Sequence, residues 1–451
     1  MGLALRRRPA LRRLLRDITG AVEVAGGAAY LVGGYLRDLA EGGGSGDVDL
    51  LITGISYRRT GSLLRSLRRT TPGIRKIVSV GRHFPVHRIA IDREKEYIDV
   101  SIARGGRGSP RGPGMEGGDR NDRAAVRDAG RRDFTINTLL FRLDAGGGVG
   151  GGRLIDPFGG SEDLRRKRIR CAGDAADRFW EDPLRILRAI RLKNERPGFV
   201  LHPSAESAIR RLGHRLLPTV SPDRISVELV RSLIADPAGT VGDLSRLGLL
   251  GVLLPELGKG AGKSAERIVR RIRFLSRSIG EPLPVPLLLA NLLADLPPPV
   301  AVGVARRLRL PDPRSIGSEL RRLDALIHPE KLRYPRAETE SALLGAKHPA
   351  ESIALYRAVQ LTRKRPARNL KSFLGKCITT PSFINGSWLE TNGFPEGPGR
   401  AEILLRVREE TLAGRITRRS EAEIFAESLG RMSGRETRTS VRRRPSGREG
   451  I

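Results

Sequence analysis

The chain has few of the residues on which several common kinds of protein depend. Only two of its 451 residues are cysteine, which excludes a disulfide framework and suits a reducing compartment. Its six histidines are scattered without metal-ligand spacing. Aromatic residues make up 4%, too few for stacking on many rings to be the main mode of nucleic-acid binding. No apolar run reaches the roughly 20 residues that span a bilayer, so we expect a cytoplasmic protein outside the membrane.

What the chain has in excess is positive charge. Lys and Arg together number 82 against 50 Asp and Glu, which gives a formal charge of +32. This excess is larger than solubility requires, and it attracts polyanions. A genome that favours arginine codons is another source of the excess, since Arg greatly outnumbers Lys. The physical attraction to RNA or DNA remains in either case.

Hydrophobic patterning divides the chain into an α/β part and a helical part. Residues 1–155 contain short strand-like runs, and from Asp182 helical patterns of Leu, Arg and Ala continue to about Leu429. A Gly-, Pro- and Arg-rich segment, 105–122, interrupts the first part and is predicted to be a mobile loop. The strand-like runs are Ala29–Val32, Val48–Thr53, Ile74–Val80, Val86–Ile91 and Tyr97–Ile102. The pattern predicts an N-terminal α/β domain followed by a long helical array.

The most informative motif is the sequence LVGGYLRD at residues 31–38, which is followed nine residues later by Asp47 and Asp49. It predicts a strand, a glycine turn at Gly33 and Gly34, a helix start, and two carboxylates on a second strand. Side chains at i and i+2 of a strand point to the same face, and a glycine turn exposes backbone N–H groups. Two neighbouring oxygen ligands suit Mg²⁺, and Mg²⁺ suits a nucleoside triphosphate.

Two further motifs carry groups that suit a nucleotide. In RRDFTIN, Arg132 can contact phosphate and Asp133 can accept a hydrogen bond from a ribose hydroxyl, while the alternative is an ordinary helix start. In EDPLRILRAIR, Asp182 and Arg185 are three residues apart and so share a helix face. An acceptor beside a donor matches the base edges of C and A but not those of U and G. The alternative for Asp182 is a helix cap before Pro183.

These motifs together resemble the family of class II tRNA nucleotidyltransferases and bacterial poly(A) polymerases. The resemblance is carried by LVGGYLRD…DVD, RRDFTIN, DPFGGSEDLRRKRIR, EDPLRILRAIR and VSPDRISVEL, in the family's order within residues 30–230. It implies an α+β fold with a palm-like nucleotidyltransferase head, built from a mixed sheet with helices, followed by an all-helical neck, body and tail. The implied boundaries are 1–155 for the head, 156–235 for the neck, 236–330 for the body, 331–430 for the tail and 431–451 for a disordered basic end.

The resemblance also implies roles for individual residues. The catalytic carboxylates fall on Asp47, Asp49 and Asp99, and the first two are the Mg²⁺ ligands. The nucleotide-binding positions fall, in chain order, on Gly33, Gly34, Arg37, Arg132, Asp133, Asp182, Arg185, Arg188 and Arg191. The protein template for base selection is Asp182 with Arg185, in agreement with the base-edge argument.

The activity implied is template-independent addition of CCA, or of CC or A alone, to the 3′ end of tRNA. The RNA 3′-hydroxyl attacks the α-phosphate of CTP or ATP, and the partners are tRNA, CTP and ATP. A tail motif at 384–399, followed by a helix over 400–411, favours this activity, whereas the Arg-rich end at 442–444 favours poly(A) synthesis. A non-catalytic RNA-binding protein is a third alternative, against which the clustered carboxylates argue. The loop 105–122 departs from the family in having no aromatic residue, and the pattern leaves the oligomeric state open.

Overall fold

The structure is a computed structural model of the chain, and it describes residues 8–42, 48–80, 85–91, 97–103, 119–146, 152–344, 349–363 and 370–440. Asp47, residues 105–118 of the predicted loop and the basic end from residue 441 lie outside the described residues. The chain forms two compact units, Met1–Leu253 and Leu254–Ile451. The finer domain boundaries stay predictions.

A mixed seven-stranded sheet forms the centre of the first unit. Its strands are β1 (Ala28–Val32), β2 (Val48–Thr53), β3 (Ile74–Val80), β4 (Val86–Ile91), β5 (Tyr97–Ile102), β6 (Leu140–Leu143) and β7 (Gly152–Ile155). Their order across the sheet is β3-β4-β5-β2-β1-β6-β7. Strands β2 and β5 are parallel, and the other neighbouring pairs are antiparallel. The five strands predicted from the sequence are confirmed, and β6 and β7 are additional.

The two faces of the sheet are covered by different helices, because alternate side chains of each strand point to opposite faces. Val48 and Leu50 of β2 lie in one core with α1 (Pro9–Val24) and α3 (Tyr57–Thr70). Leu51 lies in the core on the other face, which is covered by α4 (Arg120–Ala129). Asp49 shares the face of Leu51, so it projects away from α1 and α3.

Helices follow the sheet to the end of the first unit. The remaining helices of that unit are α2 (Gly33–Ala40), α5 (Gly160–Arg165), α6 (Ala175–Glu181), α7 (Leu184–Asn194), α8 (Pro203–Leu212), α9 (Leu216–Thr219), α10 (Pro222–Ala235), α11 (Pro237–Arg246) and α12 (Leu249–Leu253). A short parallel pair, β8 (Arg168–Ile169) with β9 (Val200–Leu201), lies beside α7.

The described part of the second unit is helical. Its helices are α13 (Ala261–Ile279), α14 (Val285–Leu293), α15 (Pro298–Arg307), α16 (Pro313–Ile327), α17 (Pro335–Leu344), α18 (Pro349–Thr362), α19 (Leu370–Thr379), α20 (Gly386–Thr391), α21 (Pro398–Leu412) and α22 (Arg419–Ser440). The helix predicted over 400–411 is thus present as α21, and α22 continues into the segment predicted to be disordered. The predicted α+β class, with a mixed sheet followed by helices, is confirmed.

No single helix among the described residues has the length and apolar composition needed to cross a bilayer. Two consecutive helices, α14 and α15, reach that length and apolar composition only when they are counted together, and the chain bends by 119° between them.

Candidate active site

A glycine turn places the first predicted carboxylate. Strand β1 ends at Val32, and α2 begins at Gly33, whose φ of +72° lies in the left-handed region. Val32 pairs with Asp49 of the neighbouring strand. A Cβ on Gly33 would lie 2.6 Å from Asp49 Oδ2 and 3.1 Å from Arg132 Nη1. Glycine is therefore needed here both for the backbone conformation and for the space beside the carboxylate.

Asp49, Asp99 and Arg88 lie in register on three neighbouring strands. Asp99 pairs with Asp49 across the parallel strands β2 and β5, and Arg88 pairs with Asp99 across β4 and β5. Arg88 donates from Nε and Nη2 to the two oxygens of Asp99, at 2.8 and 2.7 Å. The two carboxylates thus project from one face, and Asp99 already has a cationic partner.

The metal-binding role of the carboxylates stays a prediction. Within the described ranges, no group of three His, Cys, Asp or Glu side chains is placed to hold a metal ion. Asp47 lies outside those ranges. Gly33 leaves Asp49 Oδ2 in place, because a side chain there would displace it, and a carboxylate oxygen is the type of ligand that Mg²⁺ prefers.

The RRDFTIN motif forms a short turn that is held from below by apolar side chains. Phe134 and Ile136 are fully buried, as predicted. Asp133 is 8% exposed, and its Oδ1 accepts from the N–H of Phe134 and from Asn137 Nδ2, both at 2.9 Å. Asn137 in turn accepts from Nη1 of Arg37 at 2.7 Å. The motif and the helix after the glycine turn are therefore joined by a chain of hydrogen bonds.

Arg37 and Arg132 differ in how closely their side chains are paired with neighbouring groups. Arg37 is buried, and burial followed by repulsion from Arg196 lowers its pKa although Asp38 acts in the other direction. Arg132 has a buried Nε without a hydrogen-bond partner, and its Nη1 reaches the carbonyl oxygen of Asn137 only at 3.5 Å. A buried donor without a partner is costly. Arg132 Nη2 also lies 3.9 Å from Asp128 Oδ2, so both terminal nitrogens of this cavity-lining guanidinium make only long contacts.

Asp182 lies in the break between α6 and α7 with an extended backbone, and Arg185 lies in the first turn of α7. The prediction that the two residues share one helix face is therefore wrong. Asp182 accepts from the N–H of Leu184 at 3.2 Å through Oδ1, and from Arg224 Nη2 at 3.0 Å through Oδ2. Arg185 donates to Glu181 Oε2 at 2.9 Å. It also donates to the carbonyl oxygens of Arg178 and Arg131. Asp182 thus has the contact of a helix cap, and a second contact that no cap requires.

Arg188 and Arg191, one helical turn further along α7, are held by carboxylates. Arg188 donates to Asp133 Oδ2 from Nε at 2.8 Å and from Nη2 at 2.6 Å, and to Glu228 at 3.3 Å. Arg191 donates to Glu228 and, at 2.7 Å, to Glu195. Burial works to raise the pKa of Asp133, but the charge of Arg188 and the hydrogen bonds from Asn137 and Arg188 outweigh it, so the pKa is lowered. The same pair raises the pKa of Arg188 despite its burial.

These groups surround one cavity of about 1010 Å³ within the first unit. Among the described residues, every predicted site residue except Asp99 lines it. The lining contains eight arginines against five carboxylates, an excess of positive charge that suits a nucleoside triphosphate. The lining residues are Gly33, Gly34, Arg37, Asp38, Asp49, Arg132, Asp133, Asn137, Asp182, Leu184, Arg185, Arg188, Arg191, Leu192, Glu195, Arg196, Arg224 and Arg231.

Comparison with known proteins identifies the family of the chain. Residues 29–170 match the model of the poly A polymerase head domain, and residues 198–259 match that of the probable RNA and SrmB-binding site of polymerase A. The chain is 31% identical over 289 residues to a CCA-adding enzyme of Coxiella burnetii, which covers 63% of this chain and 67% of that protein. The chain belongs to the family of CCA-adding enzymes and bacterial poly(A) polymerases. The predicted family and enzyme class, a nucleotidyltransferase, are confirmed.

Other relatives of this nucleotidyltransferase agree with that assignment. A multifunctional CCA protein of Burkholderia mallei is 30% identical over 331 residues, which cover 70% of this chain and 74% of that protein. A CCA-adding enzyme solved with ATP has the same fold, with a TM-score of 0.67, 24% identity and 92% of each chain covered. The Thermotoga maritima CCA-adding enzyme solved with tRNA has a TM-score of 0.64 at 23% identity, over 92% of this chain and 94% of that one.

Sequence reasoning missed the residues of this nucleotidyltransferase that hold the predicted ones in place. Arg88 binds Asp99, Arg224 binds Asp182, and Glu228 joins Arg188 to Arg191. Arg224 and Glu228 lie in VSPDRISVEL, a motif that carried the resemblance but was given no role. Each of these pairs brings together residues distant in the chain, and opposite charge is the one signal that could have suggested them.

Proposed function

We propose that this nucleotidyltransferase adds C and A residues to the 3′ end of tRNA, as the complete CCA or as CC or A alone. The observation that carries the proposal is that one cavity contains both the carboxylate Asp49 and the template pair Asp182 and Arg185. The first is suited to the transfer chemistry and the second to the choice of base. The complex of the Thermotoga maritima CCA-adding enzyme with tRNA supports tRNA as the acceptor.

The transfer forms one bond and breaks one bond at the α-phosphorus. The oxygen of the RNA 3′-hydroxyl bonds to phosphorus, the bond to pyrophosphate breaks, and the hydroxyl proton is released. Positioning and charge stabilisation provide most of the acceleration in transfers of this type. Arg132, whose terminal nitrogens make only long contacts within the protein, would bind the triphosphate.

Asp47 and Asp49 would hold a divalent metal ion, for which we propose Mg²⁺. Such an ion supplies neutralisation of the triphosphate and activation of the 3′-hydroxyl. Asp99 accepts two hydrogen bonds from Arg88. We therefore propose that this ion pair acts electrostatically on the neighbouring carboxylate of Asp49. Asp49→Asn should abolish incorporation of CTP and ATP and leave RNA binding intact. Asp324→Asn, which removes a carboxylate from α16, should leave incorporation unchanged.

The choice of base would be made by the protein itself. Asp182 can accept from the amino group of C or A, and Arg185 can donate to the ring nitrogen beside it. Both side chains are fixed by neighbours, Asp182 by Arg224 and Arg185 by Glu181, so their orientations are set before a nucleotide binds. A site organised in advance loses less entropy on binding.

One helical face of the second unit suits the backbone of the acceptor RNA. Helix α13 buries Ile268, Ile272 and Leu275 and exposes its opposite side. That side has four exposed cations and one exposed acid, Glu266. The cations, which we call the basic face of α13, are Lys263, Arg270, Arg273 and Arg277. Their spacing of three, four and seven residues places them on one side of the helix, where they can contact phosphates without reading sequence.

The experiment that tests the proposal is an extension assay with three tRNAs, which end before CCA, after one C and after CC. Each is offered CTP, ATP, GTP or UTP alone. Addition of C to the first two and of A to the third is the expected result for full CCA addition, and a subset of these steps identifies CC or A addition. Repeated addition of A to every RNA, including RNA other than tRNA, would replace the proposal with poly(A) synthesis. Absence of any incorporation would leave a protein that only binds RNA.

A further inference from the structure

Trp180 is an exposed aromatic side chain in a chain that has few of them. It is one of two tryptophans, and it is 61% exposed although the preceding Phe179 is fully buried. The other tryptophan, Trp388, packs against the core of the second unit and lies 6.0 Å from the ring of Phe394. Exposure of so large an apolar ring is unfavourable. Trp180 therefore invites an explanation that core packing does not supply.

Arg215 covers one face of the Trp180 ring. Its guanidinium carbon lies 3.5 Å from the ring centroid, and its Nη1 donates to the carbonyl oxygen of Trp180 at 2.8 Å. The ring is thus fixed by a cation–π contact and a hydrogen bond. Because Trp180 remains 61% exposed with Arg215 in place, a flat group can still reach it from the solvent side.

The pair lies beside the nucleotide cavity. Trp180 is the penultimate residue of α6 and lies two residues before Asp182, so their Cα atoms are within about 7 Å of each other. Asp182 lines the cavity, and so does its partner Arg224. A nucleotide that is adjacent in the RNA to one bound in the cavity would therefore lie near Trp180.

We propose that Trp180 and Arg215 form a stacking platform for an unpaired nucleotide at the 3′ end of the RNA substrate, a role that rests on the proposed function. An aromatic ring accepts the flat face of any base, so the platform holds the RNA end without selecting its sequence. The guanidinium of Arg215 adds positive charge that favours the phosphate of the same nucleotide. Base selection stays with Asp182 and Arg185, and the platform positions the acceptor.

The kinetic test uses Trp180→Ala, with Trp180→Phe as the conservative variant that keeps a stacking ring. Loss of one stacked base should raise the KM for tRNA about 5- to 150-fold in Trp180→Ala. The KM for CTP should stay unchanged, and Trp180→Phe should recover most of the loss. A side chain that serves only to hold α6 would instead lower the melting temperature and leave the KM for tRNA unaltered. That result, or an equal rise in the KM for CTP, would overturn the platform.

A spectroscopic test reports the contact directly. In Trp388→Phe, Trp180 is the one remaining indole of the chain, since the sequence contains two tryptophans. A tRNA with unpaired 3′ nucleotides should quench its fluorescence, whereas a blunt acceptor-stem duplex of the same sequence should not. Equal quenching by both RNAs would refute stacking of an unpaired base. If Trp388→Phe extends RNA but shows no such difference, the platform alone fails; if neither it nor the wild type extends any RNA, the proposed function fails with it.

Discussion

Replacing Gly33 by alanine should change the geometry of the candidate site strongly and the stability of the fold only modestly. The new Cβ would lie 2.6 Å from Asp49 Oδ2, whereas ordinary contacts begin near 3.4 Å. The carboxylate oxygen must therefore move by about 0.8 Å. Asp49 can make this movement by rotating its side chain, so the contact itself adds little to the cost of folding. The backbone contributes about 1–2 kcal/mol, because Gly33 has a φ of +72°.

The same movement should have a large effect on catalysis. A displacement of about 1 Å at a reacting centre costs roughly 100-fold in rate. We therefore expect Gly33→Ala to lower kcat about 100-fold, and to do so equally with CTP and ATP, because Asp49 takes no part in the choice of base. The measurement is single-turnover incorporation of each nucleotide, together with the free energy of unfolding in urea.

Gly26→Ala is the matched control for this experiment. Gly26 also has a positive φ, +84°, but a Cβ there would meet nothing within 4 Å. It should therefore lose about the same 1–2 kcal/mol of stability as Gly33→Ala and keep its kcat. If the two variants have kcat values within about threefold of each other, the backbone explains both, and Asp49 is not the carboxylate on which transfer depends.

Three further changes address base selection, the buried ion pair and RNA binding. Asp182→Ser keeps one oxygen for the helix cap but loses the carboxylate that would accept from the base, and should reduce the preference for CTP and ATP over UTP and GTP about 10- to 150-fold. Unchanged specificity constants would show that Asp182 acts only as a helix cap. Asp133→Asn should lower the free energy of unfolding by about 2–3 kcal/mol at pH 7, less than for a fully buried pair because Arg188 is 35% exposed. The pKa of Asp133 is depressed by folding, so this difference from wild type should narrow as the pH falls below about 5; a difference independent of pH would contradict the ion pair. Replacing the three arginines of the basic face of α13 by glutamate should reduce the slope of log Kd for tRNA against log salt by about 3, whereas lysine at the same positions should preserve the slope.

Most of the sheet could be predicted because its inner strands have clear patterns. Val48–Thr53 is a nearly continuous apolar run, and Tyr97–Ile102 alternates with Ile98, Val100 and Ile102 on one face, so the limits of both strands are visible in the sequence. Leu140–Leu143 has four residues, and Gly152–Ile155 is an edge strand whose residues are exposed or half-buried. Strands this short become stable only through pairing with each other and with β1. Local composition contains no signal of that pairing.

The candidate site was predictable by residue type but not by pairing. Asp49 and Arg185 could be proposed because a glycine turn or a fixed spacing accompanies each, and both line the same cavity. Glu228 could not, because its role depends on α10 passing beside α7, where it meets Arg188 and Arg191. Opposite charges are abundant in this chain, so complementarity alone does not single out one partner.

The ion pair of Asp133 and Arg188 connects two of the elements that line the cavity. It joins the turn after α4 to α7, which contains Arg185, the proposed template residue. Asp133 has its pKa lowered and Arg188 has its pKa raised, so both remain ionised throughout the neutral range. Glu228 extends the link to α10, whose first turn contains the Asp182 partner Arg224. If the protein reads bases without a nucleic-acid template, as we propose, it must hold its donor and acceptor as firmly as paired strands would, and this connected set of charges suits that role.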